Sequence, residues 1–262
     1  MVTDTEAIVL RQVKTLNGRR MLLLFSRKFG KISVGTSLTE GGRNKSALAL
    51  RPFTYGRYEL FKSRENYSLN NGQVIRSFYS LGEDLDKYMA GSYVMELTEK
   101  ILADDLPQPR LFALLLEFLE SLEKRSTKHD TLVMAYMVKA LDIMGTMPEL
   151  DQCCVCGCRE AGRFFSVSEG GMVCDSCAGK AQENKPSERG SSANEPLIYD
   201  TNFGIVNILK YFQKEPLATF EKIALDDNIL EKLKAIIKSW MSYHLDVGKL
   251  KCEDFNVLSI TE

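Results

Sequence analysis

Histidine is nearly absent from this chain: His129 and His244 are the two in 262 residues, each in a stretch that reads as helical and polar. So little histidine leaves scant material for His-dependent catalysis, and neither H-E-x-x-H nor G-x-S-x-G occurs. There is no G-x-x-x-x-G-K-[ST], so ATP hydrolysis is not expected, and "GGR" at 41–43 is too short to cradle a phosphate. Long apolar runs are missing as well. The strongest, "LFALLLEFL", is broken by Glu117 and falls short of the roughly 18 residues a membrane span needs. The N-terminus, "MVTDTEAIVLRQ", lacks the basic-then-apolar pattern of a secretory signal. A soluble, cytoplasmic protein with no membrane partner is expected. Glu96, inside "YVMELTEK", is a conceivable catalytic carboxylate, but a lone Glu there is more often a satisfied structural partner. No enzyme emerges.

What is present is an ordinary globular composition, 44% hydrophobic and 26% charged, divided unevenly along the chain. Residues 1–80 contain 14 Lys and Arg against five Asp and Glu, a net charge of +9, while the remainder carries −10. A basic third on an acidic body suggests that a polyanion binds at one end.

That basic third reads as strands. "EAIVLRQV" is followed by "TLNGRRMLLLFSRK", with Asn17-Gly18 as the turn, because both residues tolerate positive φ. "KFGKISVGTSL" repeats the pattern with Gly30 at its turn. "FTYGRYELFKS" and "NGQVIRSFYSL" follow the polar loop "TEGGRNKS". Five short strands in so little chain suit a small closed barrel, since closure removes exposed edges, and a five-stranded OB barrel is the size match. Lys14, Arg19, Arg20, Arg27, Lys28, Lys31, Arg43, Lys45 and Arg51 cluster in and around the first strands and the following loop. Phe25, Phe29, Tyr55, Tyr58, Phe61 and Tyr67 are interleaved with them. Basic grooves follow phosphates and aromatic faces stack bases, so a barrel of this composition fits single-stranded nucleic acid, with these nine cations as the candidate contacts and most of the aromatics read as core.

After Leu81 the period changes. Leu85, Met89, Tyr93, Leu97 and Ile101 recur every four residues and predict one face of a helix. "QPRLFALLLEFLESLEK" and "TLVMAYMVKALDIMG" predict two more, and helices resume at roughly 199–213 and 226–246. The expected organisation is α+β. An OB-fold nucleic-acid-binding domain at 1–80 precedes an α-helical domain at 81–262, which carries a cysteine-rich segment at 151–180 and a flexible loop at 181–196.

That segment holds six of the seven cysteines, in "DQCCVCGC" and "GGMVCDSC". The economical pairing is Cys153-x2-Cys156-Gly157 with Cys174-x2-Cys177, leaving 17 residues between the pairs. Two residues between thiolates let one tight turn aim both sulfurs at an ion, and two such turns complete the tetrahedral S4 site that structural zinc favours. Cys154 and Cys158 are surplus and could stand in for a nominal ligand, while Cys252 reads as an ordinary small residue. Iron in the same S4 site is the rival. A thioredoxin-like exchange motif belongs near a βαβ unit, which is lacking. A closed four-thiolate site leaves no open position for water, so it is expected to pin a segment rather than catalyse.

In this order the parts resemble the RecO family of bacterial recombination mediators. "EAIVLRQV" and "LLLFSRKFGKISV" are similar to its opening strands, and "GGRNKS" with "LRPFTYGRYEL" to its basic loop and next strand. "YVMELTEKIL" and "LFALLLEFLESLE" resemble its first helices, and "MGTMPELDQCCVCG" with "FFSVSEGGMVCDSC" its zinc segment. The resemblance implies binding of single- and double-stranded DNA and annealing of complementary strands without nucleotide hydrolysis. It further implies work with RecR to load RecA on DNA coated by single-stranded-DNA-binding protein, whose acidic tail is the contact. The implied setting is the bacterial cytoplasm, at the nucleoid during repair. The alternative is a zinc-stabilised scaffold that binds mainly proteins.

Overall fold

Along β3 (Gly30–Thr36) the buried Ile32 and Val34 alternate with the more exposed Lys31 and Ser33, the period-two pattern of a strand with one face in a core. The computed structural model describes residues 1–14, 20–36, 46–63, 66–159, 162–183, 198–201 and 203–251. The Asn17-Gly18 turn and nearly all of the 39–46 loop lie outside them. Two compact units result: Met1–Arg125 with the chain from Leu250 onward, and Ser126–Lys249.

In the first unit β1 (Val2–Lys14), β2 (Arg20–Ser26), β3, β4 (Thr54–Lys62) and β5 (Tyr67–Ser77) join in the order β1-β2-β3-β5-β4, and β4 returns to β1 to close a barrel. β1 is longer than its sequence pattern suggests because it serves two neighbours. Val2–Ile8 pairs with β4, and Ala7–Lys14 pairs with β2 across an irregularity between Val9 and Arg11. A bulge of this kind bends a strand, which lets one chain turn the barrel's corner. β3 meets β5 through a short parallel contact at Val34–Tyr67 and Gly35–Ser68.

Ala7, Val9, Leu22, Leu24, Val34, Tyr58 and Leu60 fill the interior. Each large apolar side chain so buried contributes about 1.5–3 kcal/mol. A single helical turn, α1 (Ser46–Ala49), supplies Ala49 and is followed by Leu50, both part of this core. The Tyr58 hydroxyl donates to the Ala49 carbonyl at 2.8 Å, satisfying a phenol that burial pushes well above its ordinary pKa. One turn is too short for a periodic signal, so α1 was not expected from the sequence.

The turn into β3 is built by Ser26, whose Oγ accepts the backbone N–H groups of Lys28 and Phe29 and pairs with Thr5 Oγ1 at 2.7 Å. Gly30 then takes φ +74°, and a Cβ there would lie 2.2 Å from the Leu106 carbonyl oxygen. Left-handed strain and a backbone clash therefore act together. Gly30→Ala should destabilise the first unit by about 3 kcal/mol in denaturant melts. A loss below about 0.5 kcal/mol, within ordinary surface substitutions, would refute the close approach.

α2 (Leu85–Ile101) begins at Asp84, whose carboxylate caps the Lys87 N–H. Its buried residues are Ala90, Gly91, Val94, Met95, Leu97, Thr98 and Ile101, whereas Leu85 is 60% exposed. The face expected from a strict four-residue repeat is thus only partly the real one. Four residues overshoot a helical turn by about 40°, so such a series winds around the helix from solvent into the core. α3 (Pro109–Lys124) starts at a proline, which has no N–H to leave unpaired. Its Phe112 ring packs edge-on against Phe25 and Tyr55 of the barrel, at 5.3 and 6.0 Å.

In the second unit α4 (His129–Ile143) is apolar nearly all round because α6 (Phe203–Lys214) and α7 (Asp227–Leu245) both pack on it. His129 is buried rather than set in polar surroundings, and the His244 ring lies 3.9 Å from that of Trp240. β6 (Phe164–Ser166), β7 (Gly171–Val173) and β8 (Ile198–Asp200) form a small sheet in the order β7-β6-β8. β8 occupies the start of the stretch expected to be helical from about 199. α5 (Asp175–Glu183) runs into the first residues of the expected 181–196 loop, the rest of which lies outside the described residues. No helix among the described residues is long and apolar enough to cross a membrane.

Candidate metal centre and nucleic-acid face

The metal centre is assembled from one tight knuckle and one strand-to-helix junction. In the knuckle the Cys153 N–H donates to the Cys158 carbonyl and the Gly157 N–H to the Cys153 carbonyl, both at 2.8 Å. Gly157 sits at φ +74°, where glycine alone is unstrained. Cys174 follows β7, and its backbone N–H donates to Cys153 Sγ at 3.4 Å. Two hydrogen-bonded turns thus converge, and the Cys156 and Cys174 sulfurs lie 3.7 Å apart.

The sulfurs of Cys153, Cys156, Cys158 and Cys174 all fall within 4.8 Å of one another. A tetrahedral ion with metal–sulfur bonds of about 2.3 Å requires sulfurs about 3.8 Å apart, so the donor set fits a metal of zinc's size and softness. Of the four ligands expected from spacing, Cys153, Cys156 and Cys174 are in this group. Cys177, in the first turn of α5, packs buried against Cys153 and Cys174, and Cys158 completes the mutual set. Sequence spacing favoured the two C-x-x-C pairs and kept Cys158 only as a possible stand-in. Its position just after Gly157 was the available signal, since the turn carries that residue back towards the sulfurs. Cys154 is outside the group, and Cys252 lies outside the described residues.

The electrostatics fit a centre that needs a cation. Burial would raise the Cys153 thiol, but backbone N–H groups of Cys174, Cys156 and Val155 outweigh it and bring the thiol down to about 6. The Cys158 N–H similarly lowers Cys156. Cys158, hydrogen-bonded to the Cys156 sulfur, and Cys177, hydrogen-bonded to Cys174, are both pushed up to about 12. Burial, followed by the charge of Glu149, holds Cys154 at about 11. Four crowded sulfurs cannot all ionise without a positive charge among them, a charge that a divalent ion would supply.

The segment is fastened to its own unit. Phe165 packs edge-on against Trp240 at 5.7 Å, and the Trp240 Nε1–H donates to the Thr146 carbonyl at 2.9 Å. His244 Nε2 lies 2.8 Å from the Val167 carbonyl, as donor.

The nine candidate DNA-binding cations fare differently. Lys14 is at the end of β1, and Arg19, Arg43 and Lys45 lie outside the described residues, as does the side chain of Lys14. Arg20 is only partly exposed at the start of β2. Arg27 pairs with Glu6 at 3.4 Å. Lys31, with a side chain 16% exposed, bonds the Glu99 carbonyl and Asp104. Lys28 and Arg51 are exposed and have no acidic partner among the described residues. Lys28 reaches Thr3 Oγ1 and lies over the Phe29 ring, and Arg51 lies over Tyr79.

Lys62, which sequence reading missed, sits over both Phe29 and Tyr67 at 5.4 and 5.1 Å. Lys28 and Lys62 therefore share one aromatic seat. Phe25, Tyr58 and Tyr67 are core residues, whereas Phe61 is 50% exposed. Tyr55 is half-buried, and its hydroxyl donates to Glu6 at 2.8 Å. Glu96 accepts the Lys251 backbone N–H at 2.9 Å, a structural role.

Residues 1–78 match the family model "Recombination protein O N terminal" and residues 82–253 match "Recombination protein O C terminal". The protein named DNA repair protein RecO of Thermoanaerobacter sp. is 28% identical over 96% of this chain and 95% of its own. That of Alkaliphilus metalliredigens is 29% identical over 94% and 95%. That of Bacillus pumilus is 33% identical over 69% and 70%. Together with a basic five-stranded barrel and a clustered cysteine centre in the expected order, these matches show that the chain belongs to the RecO family.

Proposed function

We propose that this protein is a DNA repair and homologous recombination mediator, acting without catalysis by holding strands together. The observation that carries this is the matching of both halves of the family, in order, over nearly the whole chain. The strand order β1-β2-β3-β5-β4, closed on β1, supports an OB reading of the barrel, a fold whose surface accepts oligonucleotides. DNA contact is assigned to the nine cations Lys14, Arg19, Arg20, Arg27, Lys28, Lys31, Arg43, Lys45 and Arg51, joined by Lys62. The cysteine centre is assigned one structural zinc, which would fix the segment between α4 and α5.

In this reading the barrel's Lys and Arg screen the phosphates of single- and double-stranded DNA, so that complementary strands can meet. The helical part would serve the protein partners: RecR, the acidic tail of single-stranded-DNA-binding protein and, indirectly, RecA. The site of action is the cytoplasm, at the nucleoid during repair. The test is annealing of two complementary oligonucleotides, bare and coated with single-stranded-DNA-binding protein, without nucleotide. The reading predicts faster annealing in both cases; no acceleration of bare strands would refute it. The ion pairs that engage Arg27 and Lys31 favour the second reading, a zinc-stabilised protein scaffold with little DNA affinity of its own.

A further inference from the structure

We propose that the metal centre has five thiolate donors for four coordination positions. Cys153, Cys156 and Cys174 are fixed ligands, and Cys158 and Cys177 are interchangeable occupants of the fourth. The inference rests on the metal reading of the cluster and extends it to the division of roles among this chain's own cysteines.

Three observations carry it. First, the mutual set of sulfurs within 4.8 Å contains Cys158 and omits Cys177, although Cys177 completes the second C-x-x-C pair. Second, Cys177 is not remote. It packs, buried, in one cluster with Cys153, Val173 and Cys174, and Cys158 packs against that same cluster. Third, the two candidates approach from opposite supports. Cys158 closes the knuckle, its carbonyl accepting the Cys153 N–H, and Cys177 stands in the first turn of α5, its N–H bonded to the Cys174 carbonyl. Each can therefore swing a thiol without disturbing the other's backbone. Two sulfurs on separate supports beside three fixed ones leave one thiol spare whenever a tetrahedral ion is bound. A spare thiolate adjoining a filled site offers an associative route for ligand exchange, with one sulfur bonding the metal as the other leaves.

The test uses the full-length protein under reducing, anaerobic conditions, with bound zinc measured after gel filtration and cobalt(II) as a spectroscopic stand-in. Cys158→Ser and Cys177→Ser should each retain one equivalent of zinc and the intense sulfur-to-cobalt charge-transfer bands of four-thiolate coordination. Zinc affinity of the double variant should fall by more than about 100-fold, beyond the loss caused by removing an outer hydrogen-bond partner. Its cobalt spectrum should weaken towards three thiolates. Cys154→Ser should match the wild type and serves as the control for substitution within the segment, with circular dichroism reporting the fold of every variant. Release of zinc to a chelator should be slower in both single variants than in the wild type, which has the spare thiol.

Loss of zinc from Cys177→Ser alone would overturn the proposal, because Cys158 would then be no ligand. Loss from Cys158→Ser alone would overturn it from the other side. Unchanged zinc affinity and an unchanged cobalt spectrum in the double variant would also overturn it, since the fourth ligand would come from elsewhere. If the wild type binds no zinc or cobalt, the metal reading fails together with this inference. If the wild type binds but a single variant does not, only the inference fails.

Discussion

Cys174→Ser should release the bound metal and lower the thermal midpoint of the second unit by about 10 °C. Cys174 joins the two halves of the centre. Its sulfur lies 3.7 Å from that of Cys156, and its backbone N–H supports Cys153. With Cys174 changed, four thiolates would remain only if Cys158 and Cys177 both bound at once, and the two are proposed as alternatives for a single position. The centre closes a segment with only two three-residue strands, β6 and β7, and little apolar core of its own. In such a segment metal binding is folding free energy, and loss of about 3–5 kcal/mol moves the midpoint of a chain of this size by about that amount. Metal analysis and calorimetry on the same samples check the two halves of the prediction. DNA affinity should change little, because the cations proposed to contact DNA belong to the first unit. Unchanged metal content would remove the centre from the account.

The second large effect is expected at the barrel. Changing Lys28, Arg51 and Lys62 together to Ala should weaken binding of a single-stranded oligonucleotide by about 100-fold near 0.1 M salt. On counter-ion release alone each phosphate contact is worth about fivefold at that salt. Lys28 and Arg51 are exposed without an acidic partner among the described residues, Lys62 is exposed with Asp105 as its acidic neighbour, and each of the three is held over an aromatic ring. Lys31→Ala should cost far less affinity, because its ammonium already bonds Asp104 and the Glu99 carbonyl. Fluorescence anisotropy on both variants separates exposed from engaged cations. An equal loss in the two would refute that distinction.

The strands were legible because half-buried strands alternate strictly, as Ile32 and Val34 do against Lys31 and Ser33. α3 was legible from its proline start and broad apolar face. The buried face of α2 was misread because a four-residue repeat drifts around a helix, leaving Leu85 in solvent and Ile101 in the core. α1, β6, β7 and β8 span three or four residues each, too few to show any period.

At the sites, cysteine spacing located the cluster because two residues between thiols is itself a geometric constraint. It could not rank Cys158 against Cys177, since that depends on where the knuckle's end lies against α5. Charge counting located the basic end for a similar reason: a total needs no geometry. Which cations are free depends on carboxylates far along the chain. Asp104 is 73 residues from Lys31, and no local pattern marks it. Lys62 escaped notice because its aromatic seat comes from Phe29 and Tyr67, on two other segments.

The most direct test of the central claim, that the barrel binds DNA through its cations, is the salt dependence of single-stranded oligonucleotide binding by the intact protein. The account predicts log K falling linearly with log salt by about 0.7 for each phosphate neutralised, and a slope about 2 units shallower in the Lys28, Arg51 and Lys62 variant. Wild-type protein that does not bind even at low salt would contradict it. So would binding whose slope is the same in the variant, because the phosphate contacts would then lie elsewhere.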